Sequence, residues 1–438
     1  MKTVIEHAQV VCMDPEKRVL QDGYVVLDGN RIAEVGEGSG PKDIPERVDA
    51  QGGILMPGMV NVHSHISMVP FRSMGDDCPD RLRRFLFPLE LEAMTPELVY
   101  AAARYAVCEL LLAGVTSVLD MYYFEDQVAK ACEEMGIRAW VGETVINMET
   151  CDSRQPYGGL ALCEELIRKW KGHHRIHPIV APHATNTNSP EMLKAAFDLA
   201  ERYDVGYTLH VSEMDYEMEL FRKEYDQTPV QFLHDLGVLD KRTIAAHCIH
   251  LTEEDIDLFA ASGAKAAHCI GANTKGGKGV CPVHDLRRKG VDVGVGTDGP
   301  SSGNTLDLFT QFKMISCAQK TRYHSRGLFP SDETVELGTM GGARVLGAEQ
   351  EIGSIEPGKK ADLVLLENRS VNMFPAYNPY SVIVYSAGPR NVDSVWVDGV
   401  RLVQGGCLLH TDIRTERERL SAHMGEFVKR AQRYADII

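Results

Sequence analysis

Two of the sixteen histidines, His63 and His65, stand one residue apart in PGMVNVHSHI (57–66), directly after an apolar run. On an extended strand, residues two apart face the same side, so H-x-H aims both imidazoles at one point. Further polar residues close other apolar runs: His183 in HPIVAPHA, His210 and Glu213 in GYTLHVSE, His247 in TIAAHCIH, His268 in AKAAHCIG and Asp298 in VDVGVGTDG. Neutral nitrogens of His63, His65 and His210, joined by the Asp298 carboxylate, make a ligand set suited to one divalent ion, Zn²⁺ first and Fe²⁺ as the alternative. An ion with an open position brings the pKa of water near neutrality and so generates hydroxide.

Attack of hydroxide on a ring carbon bearing an amino group needs proton management. Glu213 is placed to take the water proton and return it to a ring nitrogen. His247 and Asp298 are placed to orient the water and pass a second proton to departing ammonia. These three are the expected catalytic groups.

Residues so far apart in the chain meet only if a fold gathers strand ends. Eight strand candidates occur: GMVNVH, GVTSVLDM, RAWVGET, HPIVAPHA, GYTLHVSE, TIAAHCIH, AKAAHCIG and VDVGVGTDG. Helical stretches separate several of them. One is TPELVYAAARYAVCELLLA, opened by Thr95, and another is SPEMLKAAFDLAERY, where Ser189 suits the N-cap and Pro190 the first turn. Alternating strands and helices to a count of eight predict an α/β fold, a (β/α)₈ TIM-type barrel, whose catalytic groups sit at the C-terminal strand ends. Both chain ends read instead as hairpins with Asp-Gly turns, YVVLDGNRIAEVG and VDSVWVDGVRLVQGG. The expected organisation is a β-sandwich built from both ends, 1–56 and 358–438 with a terminal helix, around a barrel spanning 57–357.

The net charge of −16 disfavours a surface for nucleic-acid phosphates, leaving a small, uncharged or cationic ligand easier to accommodate. Eleven cysteines are scattered without C-x-x-C, which argues against a zinc ribbon or disulfide framework and for a reduced cytoplasm. No stretch reaches transmembrane length, so no membrane association is expected.

PGMVNVHSH, PLE (88–90), APHAT, HVSE, AAHCIHL, GTDGPSSGNTLDLF and IGSIEPGKKADLVLLE together resemble the amidohydrolase superfamily, in the branch of 5-methylthioadenosine/S-adenosylhomocysteine deaminases and triazine hydrolases. The resemblance spans nearly the whole chain. It implies a barrel with a small β domain, one divalent metal, a heterocyclic small-molecule substrate and a homo-oligomer. Binuclear relatives use a carboxylated Lys at the end of strand 4, where this chain has His183, so one metal is expected. Glu90 matches a carboxylate that holds ribose hydroxyls, and His183 matches a histidine that contacts the substrate ring.

Departures from the family pattern bear on the substrate. After strand 3 an Arg is common, whereas VGETVINMET offers Glu143, taken as a third substrate contact. The strand 7 loop HCIGANTKGGKG loses a Ser and gains glycines. Arg81, Arg83 and Arg84 replace a Trp-containing lid and read as a solvated helix face. The expected reaction is hydrolytic deamination of a purine, pterin or adenine nucleoside. The alternatives are triazine-type displacement of chloride or an amine, hydrolysis of a cyclic amide such as an imidazolone, and a catalytically silent scaffold.

Overall fold

Residues 2–436 are described in the computed structural model, and their strands form two sheets of nine. The first collects Lys2–Val11, Val19–Asp28, Arg31–Glu37, Glu46–Asp49 and Ile54–Pro57 from one end of the chain. Leu363–Leu366, Val392–Val397, Val400–Gln404 and Cys407–Leu408 join from the other. Both Asp-Gly turns close hairpins: Asp28 pairs with Arg31 around Gly29 (φ +60°), and Val397 pairs with Val400 around Asp398 and Gly399 (φ +50° and +77°). The two halves join where Ile54–Pro57 pairs with Leu363–Leu366. The edge of Arg31–Glu37 is tied back to the opposite half, with Ile32 N–H donating to Lys359 O at 2.9 Å. The sheet therefore curls, and Ile5, Val25, Ile32, Leu55, Leu363 and Trp396 share one buried cluster.

The second sheet is the barrel. Its eight parallel strands are Met59–Ser64, Val115–Tyr122, Arg138–Val145, Ile176–Pro178 continued by Ala181–Pro182, Tyr207–Val211, Thr243–His247, Lys265–His268 and Val293–Val295, here strands 1 to 8. Closure comes from Val295 pairing with Asn61 and from bridges Val180–Tyr207 and Ala184–His210. HPIVAPHA, read as one strand, is split in two. Pro178 and Pro182 lack N–H donors, and between them Ile179 N–H turns to Val141 O while Val180 N–H turns to Gly206 O, both at 2.9 Å. Thr95 and Ser189 cap Pro96–Leu112 and Pro190–Tyr203 by accepting from Leu98 N–H and Met192 N–H, as their sequences demand.

Inside the barrel, Val60, Val62, Leu119, Ile179, Ile244 and Ala246 pack against Met340, Ala343 and Ile352. The lumen is thus a filled core, and open space remains only at the mouth formed by the strand ends. Strand 1 carries an irregularity that serves this mouth. Asn61 pairs with Val118 and Ser64 with Asp120, three steps against two. The extra residue lets Val62 fill the lumen while His63 and His65 still turn toward the centre.

Sheet and barrel are joined by a buried ion pair. Arg138, at the start of strand 3, donates from Nε and Nη2 to the two oxygens of Asp362 at 2.9 and 3.1 Å, with both side chains at most 4% exposed. Asp362 also accepts from Asp398 N–H at 2.6 Å. Removing one partner of such a pair strands the other in a dry interface. Arg138→Met is expected to cost about 3–5 kcal/mol of unfolding free energy, readable by urea titration, against near-neutrality for a surface pair.

Candidate metal centre and substrate cavity

Donor nitrogens of His63, His65 and His210 lie within 4.8 Å of one another. The ring of His63 sits edge-on to both others, with centroids 4.9 Å away in each case. Backbone carbonyls choose the tautomers: His65 Nδ1 donates to Met121 O and His210 Nδ1 to His183 O, each at 2.5 Å. Both rings therefore turn Nε2, not Nδ1, to the shared point. Asp298 enters from strand 8 at φ +59°, its Oδ1 lying 3.2 Å from His65 Nε2. Gly296 makes room for that approach, since a Cβ there would stand 2.8 Å from the Cβ of His63 and from Cys269 Sγ.

His63 supplies the test of whether these residues suit a metal. It is fully buried, and neither ring nitrogen has a hydrogen-bond partner. Burial, with the neighbouring imidazoles, holds its pKa well below the usual value, so it stays neutral with a free lone pair. Burial also lowers the pKa of His210, while Asp298 overcomes burial to bring His65 up to about 9. Two neutral imidazoles, an imidazole already paired to a carboxylate, and that carboxylate are the donors a tetrahedral divalent ion takes. A second close group, His63, His247 and Cys269, suits it less. Burial raises the Cys269 thiol well above its usual pKa, leaving it protonated and a poor ligand.

Glu213 and His247 meet beside this centre, with Glu213 Oε1 3.6 Å from His247 Nε2. His247 leaves strand 6 at φ +71° and is oriented by Asn273, whose Oδ1 lies 2.8 Å from its Nδ1. Burial would raise the Glu213 carboxyl, but His247, Lys278 and His210 outweigh it and carry its pKa down to about 2. It is a carboxylate across the physiological range. His268, by contrast, is buried, lies off the cavity and has both nitrogens unpartnered.

A cavity of about 300 Å³ opens over these groups. Glu90 and His183 line it. Glu90 is 5% exposed and accepts from Tyr122 O–H at 2.9 Å, and burial raises its carboxyl to about 7 against that bond. His183 packs its ring against Phe87 and is kept neutral by burial, with a pKa of about 4.

Two expectations are corrected. Glu143 does not reach the cavity; its neighbour Thr144 does. On strand 3 the inward positions are those of Trp140, Gly142 and Thr144, so Glu143 points to the helix layer, where its carboxyl accepts from Glu125 N–H at 2.9 Å. Nor is the arginine segment wholly solvated. Arg81 lines the cavity with its side chain 16% exposed and donates to Ser301 O at 2.6 Å, and Arg83 lies 5.0 Å over the ring of Tyr216. Asn273, Tyr122 and Lys278 were missed. Asn273 and Lys278 lay in the quoted strand 7 loop, but spacing alone does not say which way a loop side chain turns.

The sequence matches the Amidohydrolase family over residues 54–402. The chain belongs to that family. Across 93% of both chains it is 35% identical to a protein from Syntrophus aciditrophicus named 5-methylthioadenosine/S-adenosylhomocysteine deaminase 1. It is 37% identical, over 88% of this chain and 90% of the other, to one from Methanothermobacter thermautotrophicus named 5'-deoxyadenosine deaminase. Among solved structures, an adenosine deaminase from Xanthomonas campestris with bound zinc superposes with a TM-score of 0.94 at 31% identity, covering 98% of each chain.

The donor geometry makes a direct expectation about this amidohydrolase. Purified without chelator, it is expected to carry one divalent ion per chain by plasma emission spectrometry. His63→Ala and Asp298→Ala are each expected to weaken that affinity by about a hundredfold or more. Two ions per chain, or full retention in both variants, would contradict the site.

Proposed function

We propose that His63, His65, His210 and Asp298 hold one Zn²⁺ in this enzyme, and that it deaminates adenine nucleosides of the 5'-deoxy and 5'-methylthio kind. The enzyme is a hydrolytic aminohydrolase of the amidohydrolase family. The observation that carries the reading is the Glu213–His247 pair set against the four-donor centre, in a cavity whose lining also includes Glu90 and its hydrogen-bonded neighbour Tyr122. The names and titles of the relatives support the same substrate class and the same ion. Fe²⁺ fits the donor set equally by chemistry.

A bound divalent ion supplies the acidity that makes water a nucleophile near neutral pH. The chain's own groups do the rest. Glu213, ionised, takes a proton from the attacking water as oxygen bonds to the ring carbon that carries the amino group. It returns that proton to the adjacent ring nitrogen, which accepts the electron pair of the ring C=N bond. His247 and Asp298 then pass the remaining hydroxyl proton to the amino nitrogen, the C–N bond breaks, and ammonia leaves a carbonyl behind. His183, neutral, is available to hydrogen-bond the ring. Glu90 is available to hold sugar hydroxyls.

All eleven cysteines are free, and no helix among the described residues is long and apolar enough to cross a membrane. Both features suit a cytoplasmic enzyme, while a homo-oligomer is inferred from the family resemblance alone.

The test is ammonia release from zinc-loaded enzyme across methylthioadenosine, 5'-deoxyadenosine, S-adenosylhomocysteine, guanine, pterins and aminotriazines. Glu213→Gln is expected to keep its ion and lose about a hundredfold to ten-thousandfold in kcat. Chloride or alkylamine release from triazines without ammonia from any purine would overturn the deaminase reading. Glu90 gives a pH signature. Its folded-state pKa is raised to about 7, so its anion, the better acceptor for two hydroxyls, is scarce at pH 6 and prevalent at pH 8. KM for a nucleoside is expected to fall roughly fivefold over that window, and Glu90→Gln to flatten the change.

A further inference from the structure

Lys278 sits in the GGKG stretch after strand 7 and takes no part in the steps above. Its Nζ donates to Glu213 Oε1, and the two side chains, each 21% exposed, line the same cavity. The backbone is held for this reach. Lys278 N–H donates to Asn273 O at 2.9 Å, and the same Asn273 orients His247 through its side chain. Gly277 and Gly279, at φ +64° and +126°, turn the chain on either side; a Cβ at Gly279 would stand 2.8 Å from Ile249 Cγ2. One short helix end, Ile270–Lys275, thus governs both members of the proton-transfer pair.

The other groups around Glu213 cannot replace this contact. His247 Nε2 is 3.6 Å from Oε1, beyond hydrogen-bond range. His210 stands three residues back, on strand 5, and His183 and Cys269 are near enough to be felt electrostatically. Glu217, raised to about 7 by burial, takes the Glu213 backbone N–H at 2.9 Å and offers its side chain no donor. A partly buried ammonium also gives up hydration as a purely structural choice, which an apolar side chain of the same length would not. We propose that Lys278 is a positioning residue for the hydrolysis, its ammonium fixing the Glu213 carboxylate beside His247 where the water attacks. The inference rests on the deaminase reading only in taking Glu213 as the proton carrier.

Zinc-loaded Lys278→Met and Lys278→Arg test it, with zinc content and melting temperature as controls. The Met variant is expected to fold and keep its ion, to lose roughly tenfold to a hundredfold in kcat, and to change KM less than about threefold. The Arg variant is expected to recover kcat to within about fivefold. A crystal structure of the Met variant is expected to show the Glu213 carboxylate displaced by about 1 Å or more from its place beside His247. Unchanged kcat with Glu213 unmoved would overturn the proposal. A rise in KM alone would do so as well, by making Lys278 a substrate contact. Wild-type enzyme that released no ammonia from any nucleoside would sink the deaminase reading instead, and the position of Glu213 in the crystal would still decide for or against Lys278.

Discussion

His63 holds two polar nitrogens out of water with no protein partner for either, and each such group costs about 1–3 kcal/mol when left unsatisfied. Nothing in local propensity would place it there. The barrel tolerates the arrangement because its lumen is packed with Val, Ile, Leu and Ala, so the strand ends cannot collapse inward to hide the rings. The bulge in strand 1, the carbonyls of Met121 and His183 and the bare Cα of Gly296 all serve the same end. They hold the rings of His63, His65 and His210 at separations that favour a cation over bonds among the three, and an ion bound there would recover the desolvation cost.

Around that point the cavity keeps two carboxyl groups in opposite states. Glu213 faces His247 and Lys278 and is driven down to about 2; Glu90 faces Tyr122 and apolar neighbours and is driven up to about 7. Environments that push two acids apart divide the labour between them. In the proposed reaction the one ionised at rest would take up the water proton and hand it to the ring, and the other would bind hydroxyl groups with a strength that depends on pH. Glu90 is buried and Glu213 partly so, and desolvation pushes both upward, so the difference comes from the partners: an ammonium and an imidazole in one case, a neutral phenol in the other.

Much of this was legible in the sequence for definite reasons. A period of two puts His63 and His65 on one side, and the alternation of apolar runs with capped helices counts out a barrel whose polar residues fall at strand ends. The caps at Thr95 and Ser189 are local hydrogen bonds, so local sequence suffices to read them. Glu143 was misread because adjacency to a strand end says nothing about parity; one step along strand 3 exchanges the cavity for the helix layer. Arg81 and Lys278 were obscure for a related reason. Each lies in an irregular segment, where direction is set by contacts to distant residues, Ser301 in one case and Glu213 in the other. Strand 4 was visible as an apolar run, but its interruption depends on Ile179 and Val180 finding acceptors on opposite neighbours.

The displaced Glu143 belongs to a buried acidic layer that backs the ligand-bearing turn. Asp120, Glu125 and Glu143 lie fully or almost fully buried on the outer side of strands 2 and 3, and burial first, then mutual repulsion or a shared hydrogen bond, raises Glu125 and Glu143 well above the ordinary carboxyl range. Glu125 and Glu143 are therefore neutral acids at working pH, whereas burial brings Asp120 up only to about 6. Asp120 accepts from Ile66 N–H at 2.6 Å, the residue directly after His65, so this layer anchors the ligand-bearing turn. Because these folded-state pKa values are raised, ionisation is resisted in the native state and the layer favours folding less as pH rises past the unfolded carboxyl range. The turn is thus fixed by Asp120, whose carboxyl burial raises only to about 6, while the neutral Glu125 and Glu143 behind it add no further charge beside the donor set of His63, His65, His210 and Asp298.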